Sequence, residues 1–127
     1  MRAAIITMCA VLCASLAACG IWLYLHSTLL DDMEGLCSEA ISMVRSSDAE
    51  GAVDEANKML GIFKEQQLAL ELVASHNDVH DVHAYLSDVL VALECEDLDD
   101  AYQSLVRLKG ALEHLREQET FSLANIL

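Results

Sequence analysis

The chain has 127 residues, with 21 acidic against seven basic side chains, and its formal net charge is −14 at pH 7. This charge argues against nucleic acid and anionic lipid headgroups as partners, because both bind basic surfaces. The absence of proline, an aromatic content of 5% and a hydrophobic content of 54% favour one small all-α domain over a β-sheet.

The first predicted element is a membrane span. Residues 3–25 carry no formal charge and are rich in Ala, Ile, Leu, Val and Cys. A helix of this length rises about 34 Å, which is enough to cross the hydrocarbon core of a bilayer. Trp22 and Tyr24 lie at its C-terminal end, where aromatic rings favour the headgroup region. We therefore predict a transmembrane signal-anchor over residues 1–26, with the lipid bilayer as the partner of residues 3–25.

The charges that flank the span predict its orientation. Arg2 and the terminal amine precede the span, whereas Asp31, Asp32 and Glu34 follow it. Positive charges favour the cytoplasmic side of a membrane. We therefore predict a single-pass protein of the cell membrane with a cytoplasmic N-terminus, and residues 27–127 as an acidic extracytoplasmic domain.

An alternative interpretation treats the apolar run as a lipoprotein signal peptide. Residues 16–19 read Leu-Ala-Ala-Cys, which fits the lipobox of bacterial lipoproteins, and Cys19 would then be the lipidated N-terminus. The apolar run continues over residues 20–25, whereas mature lipoproteins usually begin with a polar tether. We favour the intact anchor for this reason. Both interpretations place the remaining domain on the same side of the membrane.

Two helices are predicted directly after the span. Ser27 and Thr28 can start a new helix, or the span and this helix can run on as one rod until residues 46–48 interrupt it. Asp48 is a good N-cap for a second helix over about residues 49–74. Apolar residues recur in both helices at spacings of three and four, which predicts one buried face on each.

Two more helices complete the predicted domain. Residues 75–78 cap a third helix that ends near Glu94, and Asp97 caps the fourth. The fourth helix has the most regular apolar spacing in the chain, over three heptads: Leu98, Ala101, Leu105, Leu108, Leu112 and Leu115. A third helix parallel to the first keeps Cys37 too far from Cys95 for a disulfide.

These four helices predict a short up-down antiparallel bundle made of two αα-hairpins. The hairpins resemble each other at an offset of 49 residues, since Asp48 aligns with Asp97 and Gly61 with Gly110. Duplication of one hairpin and independent convergence on good helix caps both explain this resemblance.

Several features together resemble one known family. The chain combines a tryptophan at the end of its span, acidic amphipathic helices, and a C-terminal sequence Glu-x-Phe-Ser-Leu-x-Asn-Ile-Leu. The residues that carry the likeness are Trp22, Asp48, His76, Asp97, His114, Leu115 and residues 119–127. They resemble the bacterial proteins grouped as domain of unknown function 4363, found mainly in Firmicutes. The resemblance implies a membrane-anchored protein without an established activity. It also implies a membrane partner, because members are often encoded beside a multi-span membrane protein.

Three histidines form a candidate metal site. His76, His80 and His83 are spaced by four and three residues, so they share one face of the third helix. Imidazoles bind Zn²⁺ and Cu²⁺ and titrate near neutral pH, which makes a metal- or pH-responsive sensor one hypothesis. A closed zinc site needs four ligands. Because no fourth ligand is predicted, a solvated helix start with one histidine at the edge of the core is the simpler interpretation.

The C-terminus is a candidate interaction site. Four apolar residues follow the polar stretch over residues 116–120: Phe121, Leu123, Ile126 and Leu127. They either fold back over the end of the bundle or dock on a partner. We favour folding back, because an exposed apolar cluster promotes association.

No catalytic motif is present in the sequence. It contains no CxxC pair, no P-loop, no GxSxG elbow and no dinucleotide fingerprint. We therefore predict no catalytic residues, no cofactor and no enzyme activity. The favoured hypothesis is a non-catalytic accessory or scaffold module that binds another envelope protein or membrane protein.

Overall fold

A computed structural model describes residues 1–126, apart from the side chains of Val73, Ser122, Leu123 and Ile126. Over these residues the chain forms four helices and no strand, which confirms the all-α prediction. The helices are α1 (Arg2–Arg45), α2 (Ala49–Val73), α3 (His76–Glu94) and α4 (Leu98–Ile126). The observed bounds of α2 and α3 lie close to the predicted ones.

Helix α1 is one rod of 44 residues, as one of the two sequence interpretations proposed. The predicted restart at Ser27 and Thr28 does not occur. The Thr28 hydroxyl instead donates to the carbonyl of Tyr24 at 2.9 Å, within the continuing helix. The boundary predicted between residues 26 and 27 is therefore not a break in the backbone.

The two parts of α1 have different surroundings. Every side chain in residues 1–21 is exposed, and the most apolar stretch of 18 residues has a mean hydropathy of 2.3 with none of it buried. Within residues 1–126, α1 is the one helix long and apolar enough to cross a membrane. A membrane anchor and a signal sequence both have these properties.

The buried face of α1 begins at the point where the apolar rod ends. Its buried residues recur every three or four positions, and they are His26, Leu29, Leu30, Met33, Cys37, Ala40 and Val44. This spacing places them on one side of the helix, which faces the other three helices. One continuous helix therefore leaves its apolar half free and packs its second half into the bundle.

The four helices pack as a closed ring in chain order. Helix α1 contacts α2 and α4, and α3 contacts the same two helices. The regular apolar stripe of α4 lies in the core as predicted, with Ala101, Leu105, Leu108 and Leu112 fully buried. Phe63 is the largest fully buried side chain. Apolar stripes with this spacing favour the antiparallel packing that is observed.

The turns that close the two hairpins have the same backbone geometry. Each contains one residue in the left-handed region, Ser47 at φ 62° and Glu96 at φ 57°. In each turn the amide of the following aspartate donates to the carbonyl five residues earlier, at 2.8 Å for Asp48 and 2.9 Å for Asp97. This pattern is the Schellman motif that commonly ends helices.

The same two aspartates begin the next helices. The Asp48 carboxylate accepts a hydrogen bond from the amide of Gly51 at 2.9 Å, and the Asp97 carboxylate accepts one from the amide of Asp100 at 3.0 Å. Both predicted N-caps are therefore confirmed. The equivalent turns lie 49 residues apart, so the internal resemblance seen in the sequence extends to the backbone.

The end of α4 differs from the prediction. Residues 116–120 continue the helix, which runs on to Ile126 rather than turning back over the bundle. Phe121 is 71% exposed and covers no part of the core, so the expectation of a fold-back was wrong for this residue. The side chains of Leu123 and Ile126, and the whole of Leu127, lie outside the described residues.

The left-handed residues give a test of the turn geometry. A non-glycine residue in the left-handed region destabilises the folded state by about 1–2 kcal/mol. Glycine avoids this strain, but its more flexible unfolded chain lowers the free energy of unfolding by about 0.4–1 kcal/mol. We expect Glu96→Gly to raise the free energy of unfolding by about 0.5–1 kcal/mol. The measurement is urea denaturation of the full chain in detergent micelles, followed by helical circular dichroism.

The matched control for this prediction lies in the same turn. Cys95 has a φ of −82°, which any residue adopts, so Cys95→Gly brings only the entropic cost of about 0.5–1 kcal/mol. The account of the turn fails if Glu96→Gly destabilises the chain as much as Cys95→Gly does.

Candidate functional site

A large concave surface lies between α1 and α2, and we call it the α1/α2 groove. It has a volume of about 640 Å³ and lies near the middle of the packed part of α1 and of α2. Its lining comes from one stretch of each helix: Asp31, Asp32, Gly35, Leu36 and Glu39 of α1, and Lys58, Gly61, Ile62 and Glu65 of α2.

Two glycines keep this groove open. Gly35 and Gly61 line it from opposite helices, and a Cβ atom added to either would meet no other atom within 4 Å. Both are exposed residues within helices, where glycine costs about 0.5–1 kcal/mol relative to alanine. Leu36 and Ile62 supply the apolar lining and are partly buried against the core. The absence of two side chains thus leaves an indentation between two packed helices.

The groove is negatively charged. Four carboxylates line it, from Asp31, Asp32, Glu39 and Glu65, against one ammonium group. That group, Lys58, already donates a hydrogen bond to the buried Glu55 at 2.7 Å, and this bond raises the pKa of Lys58. Among the described residues, Asp32, Glu39 and Glu65 form no ion pair, whereas Asp31 pairs with Arg116 of α4.

Ion pairs hold α4 beside the same part of α1. The Arg116 guanidinium contacts the Asp31 carboxylate and donates from Nε to Glu34 at 3.0 Å. These two hydrogen bonds raise the pKa of Arg116 above its usual value. Further along, the Nδ1 atom of His26 contacts the carboxylate of Glu119. These contacts place Arg116 and Glu119 of α4 against α1.

The three histidines of the sequence-based site share one shallow groove. His76, His80 and His83 line a space of about 100 Å³ between α2 and α3, together with Glu71 and Phe63 among other residues. All three histidines are exposed. The ring of His83 lies 5.6 Å from that of Phe63, so this histidine packs at the edge of the core.

The geometry of these histidines is not that of a preformed metal site. Among residues 1–126, no group of three or more His, Cys, Asp or Glu side chains is arranged to hold a metal ion. Asp78, the nearest acidic residue on the first turn of α3, accepts a hydrogen bond from Gln118 of α4 at 2.9 Å. The metal hypothesis for His76, His80 and His83 stays a prediction.

The five cysteines are free. Cys37 is fully buried, its thiol lies 3.4 Å from the carbonyl of Leu105, and burial raises the pKa of this thiol to about 12. It is therefore an inert core residue at neutral pH. Cys95 is exposed in the turn between α3 and α4, and Cys19 is exposed on α1. Lipidation of Cys19 stays a prediction.

The α1/α2 groove was not predicted from the sequence. The available signal was weak: glycine at positions 35 and 61, in the interior of two helices without a turn. Only the register between α1 and α2 brings the two glycines to the same groove, and that register is a property of the folded chain.

A family model described as a domain of unknown function (DUF4363) matches residues 23–126, which covers the packed part of α1 and the other three helices. No curated protein and no solved structure matches the chain.

The histidine groove gives a direct test of metal binding. A metal that binds the folded chain and not the unfolded chain raises the melting temperature by mass action. We expect excess Zn²⁺ to leave the melting temperature of the full chain in detergent micelles unchanged, in the wild type and in His80→Ala alike. A rise in the wild type that His80→Ala removes would establish the metal site instead.

Proposed function

The chain belongs to the DUF4363 family, whose function is unknown, and we propose that it is a membrane-anchored, non-catalytic accessory module that binds another membrane or envelope protein. The α1/α2 groove is the observation that carries this proposal. It combines a concave shape, an apolar lining and carboxylates without an ion pair, which are properties of protein-binding sites.

The chemistry of the groove defines the class of partner. A volume of about 640 Å³ bounded by two helices accommodates side chains of a third helix that lies against them. Gly35 and Gly61 allow close approach, and the carboxylates of Asp32, Glu39 and Glu65 favour lysine or arginine. We therefore propose a partner helix that carries at least one basic side chain.

The distance along α1 from the end of the predicted span to the groove defines where the partner helix must lie. At 1.5 Å per residue, positions 31–39 of α1 are about 9–21 Å beyond Leu25, the last residue of the predicted span. This is the zone just outside a bilayer. A juxtamembrane helix of a multi-span membrane protein would meet the groove there without any rearrangement of the bundle.

The proposed location depends on the apolar half of α1. Its side chains from Ala3 to Ile21 are all exposed, which a chain dissolved in water would not tolerate over such a length. We propose that residues 3–25 cross the cell membrane once, with the N-terminus in the cytoplasm and the bundle outside. The single base at Arg2 and the acidic residues after the span support this orientation.

The lipoprotein interpretation keeps the same function. Cleavage before Cys19 would replace the span by lipid on that cysteine and leave the bundle on the same face. The continuous helix through residues 19–26 gives no sign of a flexible tether there, so we retain the intact anchor. Mass spectrometry of the intact chain distinguishes the two forms, because the lipoprotein lacks residues 1–18.

The sensor hypothesis has less support than partner binding. His76, His80 and His83 do share a groove with Glu71, but all three side chains are exposed and His83 packs on Phe63. The histidine side chains would have to rearrange before three of the groove's side chains could bind one metal ion.

A photo-crosslinking experiment tests the groove. A benzophenone amino acid replaces Glu65, which lines the groove and is exposed, in cells of the source organism. We expect one crosslinked membrane protein, and we expect Gly61→Leu to reduce its yield at least tenfold because leucine fills the groove. A Cβ at Gly61 meets no other atom, so this variant should keep its helical content and melting temperature.

The internal resemblance of the hairpins provides the matched control. Gly110 is the counterpart of Gly61, is also exposed within a helix, and also has nothing within 4 Å of an added Cβ atom. We expect Gly110→Leu to leave the crosslink unchanged. The proposal is wrong if Glu65 yields no discrete crosslink, or if Gly61→Leu and Gly110→Leu behave alike.

A further inference from the structure

Three large apolar side chains of the bundle are exposed at the end where α1 enters it. They are Leu68 and Leu72 on α2 and Phe121 on α4, with exposed fractions of 73%, 79% and 71%. Among the side chains that the structure describes, Val91 and Val106 are the other large apolar residues of the bundle that are exposed, and both are smaller. Isolated exposed valines are ordinary, whereas leucine and phenylalanine exposed together at one end need an explanation.

The contact between His26 and Glu119 fixes the height of Phe121. Helices α1 and α4 are antiparallel, so residues that follow Glu119 lie beside residues that precede His26. Phe121 is two residues further along α4, which places it about 3 Å closer to the apolar rod. It therefore lies level with Tyr24 and Trp22, at the end of the proposed span.

A small cavity between α1 and α2 shows which residues of α1 lie level with Leu72. Gln66 and Ala69 of α2 line it together with Trp22, Leu25 and other residues of α1. Leu72 follows Ala69 by three residues, which is about 4.5 Å further toward the apolar rod. A second, independent contact therefore places Leu72 level with Trp22.

We infer that Leu68, Leu72 and Phe121, with Trp22, form an apolar collar that lies in the interfacial layer of the bilayer. The inference rests on the membrane anchor of the proposed function and adds a second lipid contact, made by the bundle itself. The continuity of the collar with the apolar rod identifies lipid as its occupant, because any group at this height around an inserted α1 meets the interface before it meets another protein.

The collar binds lipid through apolar contact and not through charge. No lysine or arginine occurs in residues 65–80 or 117–127, which hold the two helix ends. An amphipathic segment that binds anionic headgroups usually carries a basic face, which is missing here. Zwitterionic phosphatidylcholine is therefore the appropriate probe, and binding should not depend on salt concentration.

The single tryptophan of the chain makes the test simple. Three variants in a Trp22→Phe background carry one new tryptophan each, Leu72→Trp, Phe121→Trp or Val106→Trp. Each full-length variant is reconstituted into phosphatidylcholine vesicles that contain a nitroxide near the headgroup, and quenching is compared with Trp22 in the wild type. Val106 is the matched control, because it is exposed on the same helix as Phe121 but about 22 Å farther from the collar.

We expect the tryptophans at positions 72 and 121 to be quenched at least half as strongly as Trp22, and the tryptophan at position 106 not to be quenched. If Trp22 is quenched and positions 72 and 121 are not, the collar does not exist although the anchor stands. Emission that is blue-shifted without quenching would mean that a second copy covers these residues, which also overturns the inference. If Trp22 itself is not quenched, the anchor of the proposed function fails and the collar fails with it.

Discussion

The structure depends on one constraint, which is that α1 is a single unbroken helix shared between two environments. Its first half is an apolar rod with every side chain exposed, and its second half carries one of the four core faces. The helix has no turn between them, so the position of the rod sets the position of the bundle. In the proposed topology, a lipid environment for residues 3–25 would therefore fix the position of every other helix relative to the membrane surface.

Polar contacts near this junction strengthen the constraint. Arg116 joins α4 to Asp31 and Glu34 of α1, and Glu119 contacts the buried His26. Single exposed ion pairs contribute little, about 0–1 kcal/mol each, but these contacts lie on one short segment and select one register of α4 on α1. That register extends α4 past the core and brings Phe121 level with the end of the rod.

The core of the bundle could be predicted from the sequence because it depends on local patterns. The heptad spacing of α4 gave its buried face, and Asp48 and Asp97 gave the starts of two helices through hydrogen bonds to amides three residues away. The end of α4 could not be predicted in this way. Residues 116–120 include good helix formers, but the ion-pair partner of Arg116 lies more than 80 positions away, at Asp31 of α1.

The candidate site was harder to predict than the fold for the same reason. The spacing of the three histidines correctly placed them on one helix, yet their ability to bind metal depends on ligands from other helices, which spacing does not reveal. The α1/α2 groove has only a weak local signature, because it depends on the register that brings Gly35 of one helix and Gly61 of another into the same lining. Predictions from sequence were therefore reliable for contacts within a helix and weak for surfaces shared by two.

The most direct measurement is the accessibility of Cys95, an exposed residue in the turn of the bundle farthest from the rod. Spheroplasts are treated with a maleimide that does not cross membranes, and the labelled cysteines are identified by peptide mapping in the carbonate-resistant membrane fraction. The account predicts that Cys95 is labelled before lysis while buried Cys37 is not. Labelling of Cys95 only after lysis, or recovery of the chain in the soluble fraction, would contradict the claim that α1 anchors the bundle outside the membrane.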